Sequence, residues 1–309
     1  MPTTPAGVGA ELRLNVIKSL LWAAGAGLTL ATMNAVMRLM TQQIDSFQAQ
    51  FVRYAFGLSI LIPILLKGSI RRLKPHSYRM QLLRGLVQVT ALSLFFMALP
   101  HVPLADATAI MFCVPVFILL GAAIFLKEKV SLMRWFGAMM GFSGVLVVLW
   151  PHLSTSEAAG GWSLVTLASA PFFAAAFLLT KAMTRHDNNE TLVAWLNISV
   201  AILAAPMALY VWQTPTQTQW GLLAVAGILG TISHFCFTKA FSMADISSLQ
   251  PVRFLDLIWS SLLGFMIFAN KPAPTALAGG AIIVAATIWM TRYETRRSDK
   301  AGKVDKAGI

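Results

Sequence analysis

Two residues that could do chemistry stand where such residues are costly. Arg253 and Asp256 lie within Leu249-Gln-Pro-Val-Arg-Phe-Leu-Asp-Leu-Ile-Trp-Ser-Ser-Leu-Leu-Gly264, an apolar run that reads as membrane-spanning. An arginine or aspartate at the centre of a spanning helix costs roughly 2.5 to 3.5 kcal/mol, so such groups face a bundle interior or a polar cavity rather than lipid. Counted from Asp245, Arg253 lies ~12 Å deep at about 1.5 Å per residue, close to the middle of a ~30 Å hydrocarbon layer. Their i,i+3 spacing puts both charges on one helix face. They can pair with each other or line a site for a zwitterionic ligand. Phe254 and Trp259 flank that face and could stack on a ring or a cation, although packing alone also explains them.

A second polar stripe runs along Gln50, Arg53, Tyr54 and Gly57, spaced i, i+3, i+4, i+7 in an otherwise apolar segment. Arg53 there either holds a ligand carboxylate by a charge-assisted hydrogen bond or, without a functional role, snorkels outward or pairs structurally. Arg84 and Gln88 share a face with Ala91 and Phe95; Arg84 reads as an interfacial anchor and Gln88 as a cavity residue. Asn34 and Arg38 are one turn apart, with Arg38 at a helix C-terminus where a cation is favoured. His234, with Thr231 and Thr238 on its face, is the only histidine predicted inside a span. His234 and Asp256 are thus the candidate proton carriers, against the alternative of a neutral packing histidine. Asp106 reads as a cap in a first helical turn, and Glu128, between Lys127 and Lys129, as compensation for local charge. Pro115, Pro171, Pro206 and Pro251 fall in or beside spans and can bend them. No metal-ligand cluster, phosphate-cradling glycine loop or nucleophile with a partnered base is found, so no catalytic residue, metal or cofactor is expected. The chain also lacks room for a nucleotide-hydrolysing domain.

The elements that must position these residues are spanning helices. Of the 309 residues 57% are hydrophobic and 12% charged, and the mean hydropathy is +0.70. The apolar runs are continuous and near span length, unlike the short alternating strands of a barrel. The sequence predicts an all-α integral membrane protein with ten spans, near 19–37, 47–66, 80–99, 104–126, 132–150, 162–183, 190–212, 219–240, 246–268 and 273–291. A signal peptide is rejected for the first run, which is nearly of span length and belongs to a repeat. Net charge of +12 raises nucleic acid as a partner, but all of the 24 Lys and Arg except Arg38, Arg53, Arg253 and Lys271 fall in alternate loops and the two termini. That excess reads as topology, with both termini cytoplasmic. The partners expected are a small-molecule substrate and the lipid bilayer, not nucleic acid; a homodimer is left open. Cys113 and Cys236 fall inside predicted spans and imply no disulfide framework.

The two halves of the chain match one another. Arg38-Leu-Met-Thr41 aligns with Lys181-Ala-Met-Thr184 and Pro63 with Pro206; one residue out of that register, Phe95 meets Phe237, Ala98 meets Ala240, Phe112 meets Phe254, Lys129 meets Lys271 and Gly137 meets Gly279. Five spans per half is an odd number, so the second copy would enter the membrane from the opposite side. Inverted repeats of this kind place a substrate site near the midplane between the halves and expose it alternately to each side. The organisation expected is an N-terminal cytoplasmic segment at 1–18, repeats at 19–150 and 162–292, an external linker at 151–161 and a basic cytoplasmic tail at 293–309.

The segments Phe112-Cys-Val-Pro-Val-Phe117, Leu126-Lys-Glu-Lys129 and Phe136-Gly-Ala-Met-Met-Gly-Phe-Ser-Gly144, on a plan of two five-helix halves, resemble the EamA branch of the drug/metabolite transporter superfamily. Glu128 matches the acidic residue with which that family ends a span; the second half departs from the pattern with Asn270. Asn34-Ala-Val-Met37, Phe47 to Tyr54, Leu83-Arg-Gly85, Lys239-Ala-Phe-Ser-Met-Ala-Asp245 and Pro251-Val-Arg-Phe-Leu-Asp-Leu257 are similar to the bacterial S-adenosylmethionine uptake transporters. The resemblance implies a secondary transporter of a small polar or zwitterionic metabolite in the bacterial inner membrane, working by alternating access. S-adenosylmethionine is one such substrate, with riboflavin, an amino acid or a metallophore as rivals; a membrane-embedded enzyme is the alternative class. Arg53, Tyr54, Gln88, Arg253, Asp256 and Trp259 are the expected substrate-binding residues. Arg53 or Arg253 would receive a carboxylate, and Asp256 with an aromatic neighbour an ammonium or sulfonium.

Overall fold

A backbone surrounded by apolar side chains must satisfy its own hydrogen bonds, and a helix does so within one segment. In the computed structural model every described element is helical. The described residues are 5–60, 73–102, 113–149 and 157–268, with scattered positions between 103 and 112 and between 278 and 292. Most of the expected tenth span, the tail at 293–309, Asp106, Asn270 and the side chain of Phe254 lie outside them.

Helix α1 runs Pro5–Thr41, so the first helix begins well before the expected start at residue 19. Proline at its first position is pre-set for a helix and gives up only an N–H that has no partner there. Helix α2, Ser46–Gly57, starts at Asp45, whose carboxylate accepts from the Phe47 N–H at 2.8 Å, and runs into a 3-10 turn at Leu58–Ile60. The remainder of that expected span, 61–66, lies outside the described residues. Helix α3, Tyr78–Ala98, is capped by Ser77. Helices α4, Cys113–Phe125, and α5, Leu132–Leu149, meet at a sharp connection where Lys127 takes a positive φ of 54°. The second half contributes α6, Glu157–Met183; α7, Asn189–Tyr210, capped by Asn188; and α8, Gln217–Met243, which opens with a reciprocal cap between Thr216 and Gln219.

The ninth segment corrects an expectation. Instead of one helix over 246–268, a single turn, α9 at Ile246–Leu249, gives way to a 3-10 stretch at Gln250–Phe254 and then to α10 at Leu255–Phe268. Pro251 has no N–H to give to an α-helical ladder, and the chain tightens there. Residues i and i+3 eclipse in a 3-10 turn, so Arg253 and Asp256 remain on one side despite the break.

Among the described residues, five helices are long and apolar enough to cross a membrane: Leu14–Thr41, Tyr78–Ala98, Gly161–Met183, Asn189–Tyr210 and Gln217–Met243. Shorter apolar helices cover Cys113–Phe125 and Ile258–Phe268. The packing crosses between the halves of the chain. Helix α1 lies along α8, α3 along α6 and α2 along α7, while α10 packs on α1 and α4 on α6. Two buried apolar clusters result. One joins Met33, Met37, Val52, Phe95 and Phe96 to Leu196 and Val200; the other joins Leu20, Ala26 and Ile118 to Phe237, Phe241 and Val252. Between them the bundle is not filled.

Candidate functional site

The unfilled space is a central cavity of about 840 Å³, counted to its mouth. Its polar lining comes from five elements: Asn34 on α1, Arg53 on α2, Gln88 on α3, His234 on α8, and Arg253, Asp256 and Ser260 along the broken ninth segment. Phe95, Phe173, Phe177 and Phe237 supply rings. The cavity thus gathers three charged groups that a bilayer would otherwise exclude.

Each charge is held differently. The Arg253 guanidinium sits 4.5 Å from the Phe177 ring centre and 5.2 Å from that of Phe237, and its Nε is 3.8 Å from Asp256 Oδ2. That separation makes an ion pair and not a hydrogen bond. The Nε and Nη1 atoms of Arg253 are buried and have no hydrogen-bond partner among the described residues. Asp256 faces Gly27 of α1, where a methyl group would collide with the carboxylate, so the absence of a side chain at Gly27 is what admits Asp256 to the interface.

Arg53 is 2% exposed and makes less conventional contacts. Its Nη1 donates to Met33 Sδ at 3.4 Å, and its guanidinium lies 4.1 Å from the Tyr54 ring centre and 5.8 Å from that of Phe96. Nε and Nη2 have no hydrogen-bond partner among the described residues. Gly230 on α8 makes room for it, since a Cβ at that position would meet Arg53 Nη1. Aromatic faces and a thioether stabilise a cation without offering it an oxygen. The directional capacity of Arg53 is left for something else.

Of the residues expected from sequence, Arg53, Gln88, His234, Arg253 and Asp256 therefore share one cavity. Tyr54 stands behind Arg53, 1% exposed, with its hydroxyl 3.3 Å from His234 Nε2. Trp259 is not among the lining residues, and its buried indole N–H has no partner among the described residues. Sequence reasoning missed Phe173, Phe177, Met33 and Ser260, which carry no polar periodicity strong enough to stand out among other apolar residues.

Two sequence readings are corrected. Arg84 is not an interfacial anchor: it is 1% exposed, and its Nη2 donates to the Leu192 carbonyl of α7. Helix α7 packs against α3 there, and Leu192, Val193 and Leu196 line the same space as Arg84, so a cation six residues into α3 does not reach the surface. Nor does Glu128 merely offset neighbouring lysines. Its carboxylate accepts from the Ile246 and Ser247 N–H groups at 3.3 Å each and from Ser247 Oγ at 2.7 Å, capping the first turn of the broken segment from the other half of the chain. Arg134 joins the cluster, with Nη1 2.6 Å from Ser247 Oγ and 3.5 Å from Asp245 Oδ2. Lys181 closes the adjacent end of α8 by donating to the Phe241 and Ala244 carbonyls at 2.7 Å.

The sequence profile of the EamA-like transporter family matches this chain twice, over residues 17–150 and 160–292. The chain belongs to the EamA-like transporter family. It is therefore a multi-pass membrane protein of a metabolite-transporter family, built from two copies of the family's repeat. Among its relatives, a riboflavin transporter of Vibrio cholerae is 31% identical over 293 residues, 93% of this chain and 97% of that protein. An S-adenosylmethionine uptake transporter of Rickettsia bellii is 29% identical, over 84% of this chain and 88% of its own. A pseudopaline exporter of Pseudomonas aeruginosa is 26% identical over 90% and 98%. A crystal structure with 18% identity superposes with a TM-score of 0.72 over 93% of this chain and 98% of that one, a likeness of fold.

Proposed function

We propose that this EamA family member is a secondary transporter for a small metabolite that joins a flat ring to a zwitterionic or anionic group, and that the central cavity is its substrate site. The observation that carries this reading is that Arg53 and Arg253, each with buried N–H groups that have no hydrogen-bond partner among the described residues, both line one ring-lined cavity. A buried donor without an acceptor costs about 1–3 kcal/mol, more when charged, and a ligand oxygen removes that cost. In this reading Arg53 receives the ligand carboxylate, Asp256 the ammonium or sulfonium, and Phe177 and Phe237 the ring, with Gln88 and the proton-carrier candidate His234 beside them. S-adenosylmethionine, transported by the Rickettsia relative, carries all four features. Riboflavin, transported by the Vibrio relative, carries the ring and carbonyl acceptors without the fixed charges.

The transport cycle we infer is alternating access between two five-helix halves of opposite orientation, 19–150 and 162–292, joined by an external linker at 151–161. The N-terminal 1–18 and the tail 293–309 are cytoplasmic in this reading of a bacterial inner-membrane protein. The cross-packing supports it: the first helix of each half lies along the third of the other, and the second helices lie along each other, as a two-fold relation requires. The cavity lining supports it too. Phe95 and Phe237, Leu92 and His234, Met111 and Arg253, and Val114 and Asp256 hold matched positions in the two halves, and all eight line the cavity.

The test is uptake of labelled S-adenosylmethionine into vesicles containing the purified protein, with and without a proton gradient. Unlabelled riboflavin, amino acids and S-adenosylhomocysteine serve as competitors. Saturable uptake that is lost in Arg253→Met is expected. Uptake competed by riboflavin alone would move the substrate to the neutral flavin, and no uptake of labelled S-adenosylmethionine, nor of each competitor when it is labelled in its turn, by correctly inserted protein would refute the cavity as a site for this class.

A further inference from the structure

A second, smaller space, about 300 Å³ with the part open to solvent included, lies beside the central cavity, at the end of the bundle where α3 and α7 begin and α6 and α8 finish. The two spaces share Gln88, Phe177, His234 and Phe237, so these four side chains form the partition between them. Phe177 and Phe237 meet edge to face at 5.4 Å, a ring contact that a rotamer change could open. On the far side of the partition stands Arg84.

Arg84 is a buried cation without an ion-pair partner among the described residues. It is 1% exposed, no carboxylate comes within ion-pair distance among the described residues, and its only hydrogen bond is to the Leu192 carbonyl. Its Nε is buried and unpartnered among the described residues. A structural role for the carbonyl contact would be met by a neutral donor. A full charge placed there is costly unless an anion visits it. The carboxylate of Asp187, near the start of α3, acts on Arg84 only from beyond ion-pair distance and is itself hydrogen-bonded by the His76 N–H at 2.6 Å and by Gln81 Nε2 at 3.1 Å.

We propose that Arg84 is a second anion subsite, on which the acidic group of the substrate is received after it passes the Phe177–Phe237 partition from the central cavity. The subsite takes a carboxylate or a comparable monoanion and rests on the transport reading above. Three buried cations then form a stepped path, Arg53 and Arg253 in the centre and Arg84 nearer the end that the lysine and arginine distribution assigns to the cytoplasm. Substrate leaving one arginine meets another before it meets water, which lowers the barrier that desolvated charge would otherwise face.

The test does not need the substrate. Thr180 lines the inner space, and Thr180→Cys, in a chain with Cys113→Ala and Cys236→Ala, reports on it. The full-length protein in inside-out vesicles is treated with an anionic and a cationic methanethiosulfonate reagent, each rate being normalised to that of a free thiol in solution. Preference for the anionic reagent by at least tenfold is expected, with collapse to near unity in Arg84→Gln and retention in Arg84→Lys. Equal rates with Arg84 present, a preference that survives Arg84→Gln, or no modification by either reagent overturns the subsite. Uptake measured in the same vesicles separates the two ideas, because a charge-selective inner space in a protein that moves no metabolite would defeat the transport reading and leave the subsite standing.

Discussion

Removing the charges of Arg253 and Asp256, singly and together, distinguishes a ligand site from an internal ion pair. At 3.8 Å and an effective dielectric constant of about 20 their attraction is roughly 4 kcal/mol. Losing one member of a buried pair costs about 3–5 kcal/mol because the other is left uncompensated. The two single changes are not equivalent. In Asp256→Asn the guanidinium keeps the faces of Phe177 and Phe237, worth about 2 kcal/mol in a desolvated setting. In Arg253→Met the carboxylate keeps no polar partner among the described residues and stays pressed against Gly27. The expected order of destabilisation is Arg253→Met, then Asp256→Asn, then the double variant, which buries no charge at either position. Thermal unfolding of the detergent-purified protein reads this, with the first variant lower by roughly 8–16 °C at about 2–4 °C per kcal/mol. Substrate binding and vesicle uptake must fail in all three, including the double variant that regains stability. A double variant that is stable and transports at the wild-type rate would show that the pair only holds the helices together. Wild-type transport in both single variants would remove it from the mechanism altogether.

Three further outcomes follow from contacts around the same cavity. Gly230→Ala puts a methyl group where Arg53 Nη1 now lies; the side chain can swing away, so unfolding should change little while substrate affinity falls about tenfold, roughly 1.4 kcal/mol, and unchanged affinity would take Arg53 out of the site. Glu128→Gln keeps an acceptor for the start of α9 but loses its charge, and should lower stability by about 1 kcal/mol in a thermal melt; no change would mean that the cap is not set by the carboxylate. Tyr54→Phe removes one neutral contact, the 3.3 Å approach to His234 Nε2, so a loss near 1 kcal/mol with transport retained is expected, and loss of uptake in a stable variant would place the hydroxyl on the substrate path.

What could be read from the chain was whatever breaks an apolar background. Arg53, Arg253 and Asp256 stand out because a charge inside a span needs a reason, and they do meet around one cavity. Gln88 and His234 were legible by the same logic. The wall of phenylalanines was not, because Phe173 and Phe177 look like any other apolar residue of a spanning helix. Arg84 reads as an anchor because it lies near the start of its own helix, whereas its burial is decided by α7, whose Leu192 carbonyl accepts from it. Glu128 was misjudged for a similar reason: its partners Ile246 and Ser247 are more than a hundred residues away in sequence. The break in the ninth segment was signalled by Pro251, yet proline alone does not say whether a helix bends or tightens into a 3-10 turn.

The cavity combines a duplicated frame with unduplicated chemistry. At matched positions of the two repeats, Arg253 answers to Met111, Asp256 to Val114, His234 to Leu92 and Gln88 to Gly230. In each pair one half provides the polar group and the other an apolar or absent side chain. The proposed alternating cycle needs halves that are interchangeable in shape, and Phe95 with Phe237 keeps that likeness. A site that binds an asymmetric metabolite needs the opposite, since a second aspartate opposite Asp256 would bring like charges together in a poorly hydrated space. At these four pairs the two repeats differ in polarity around the proposed site. Restoring symmetry there, as in Met111→Arg, should cost substrate recognition before it costs folding, because the shape of the frame does not depend on those pairs being unlike.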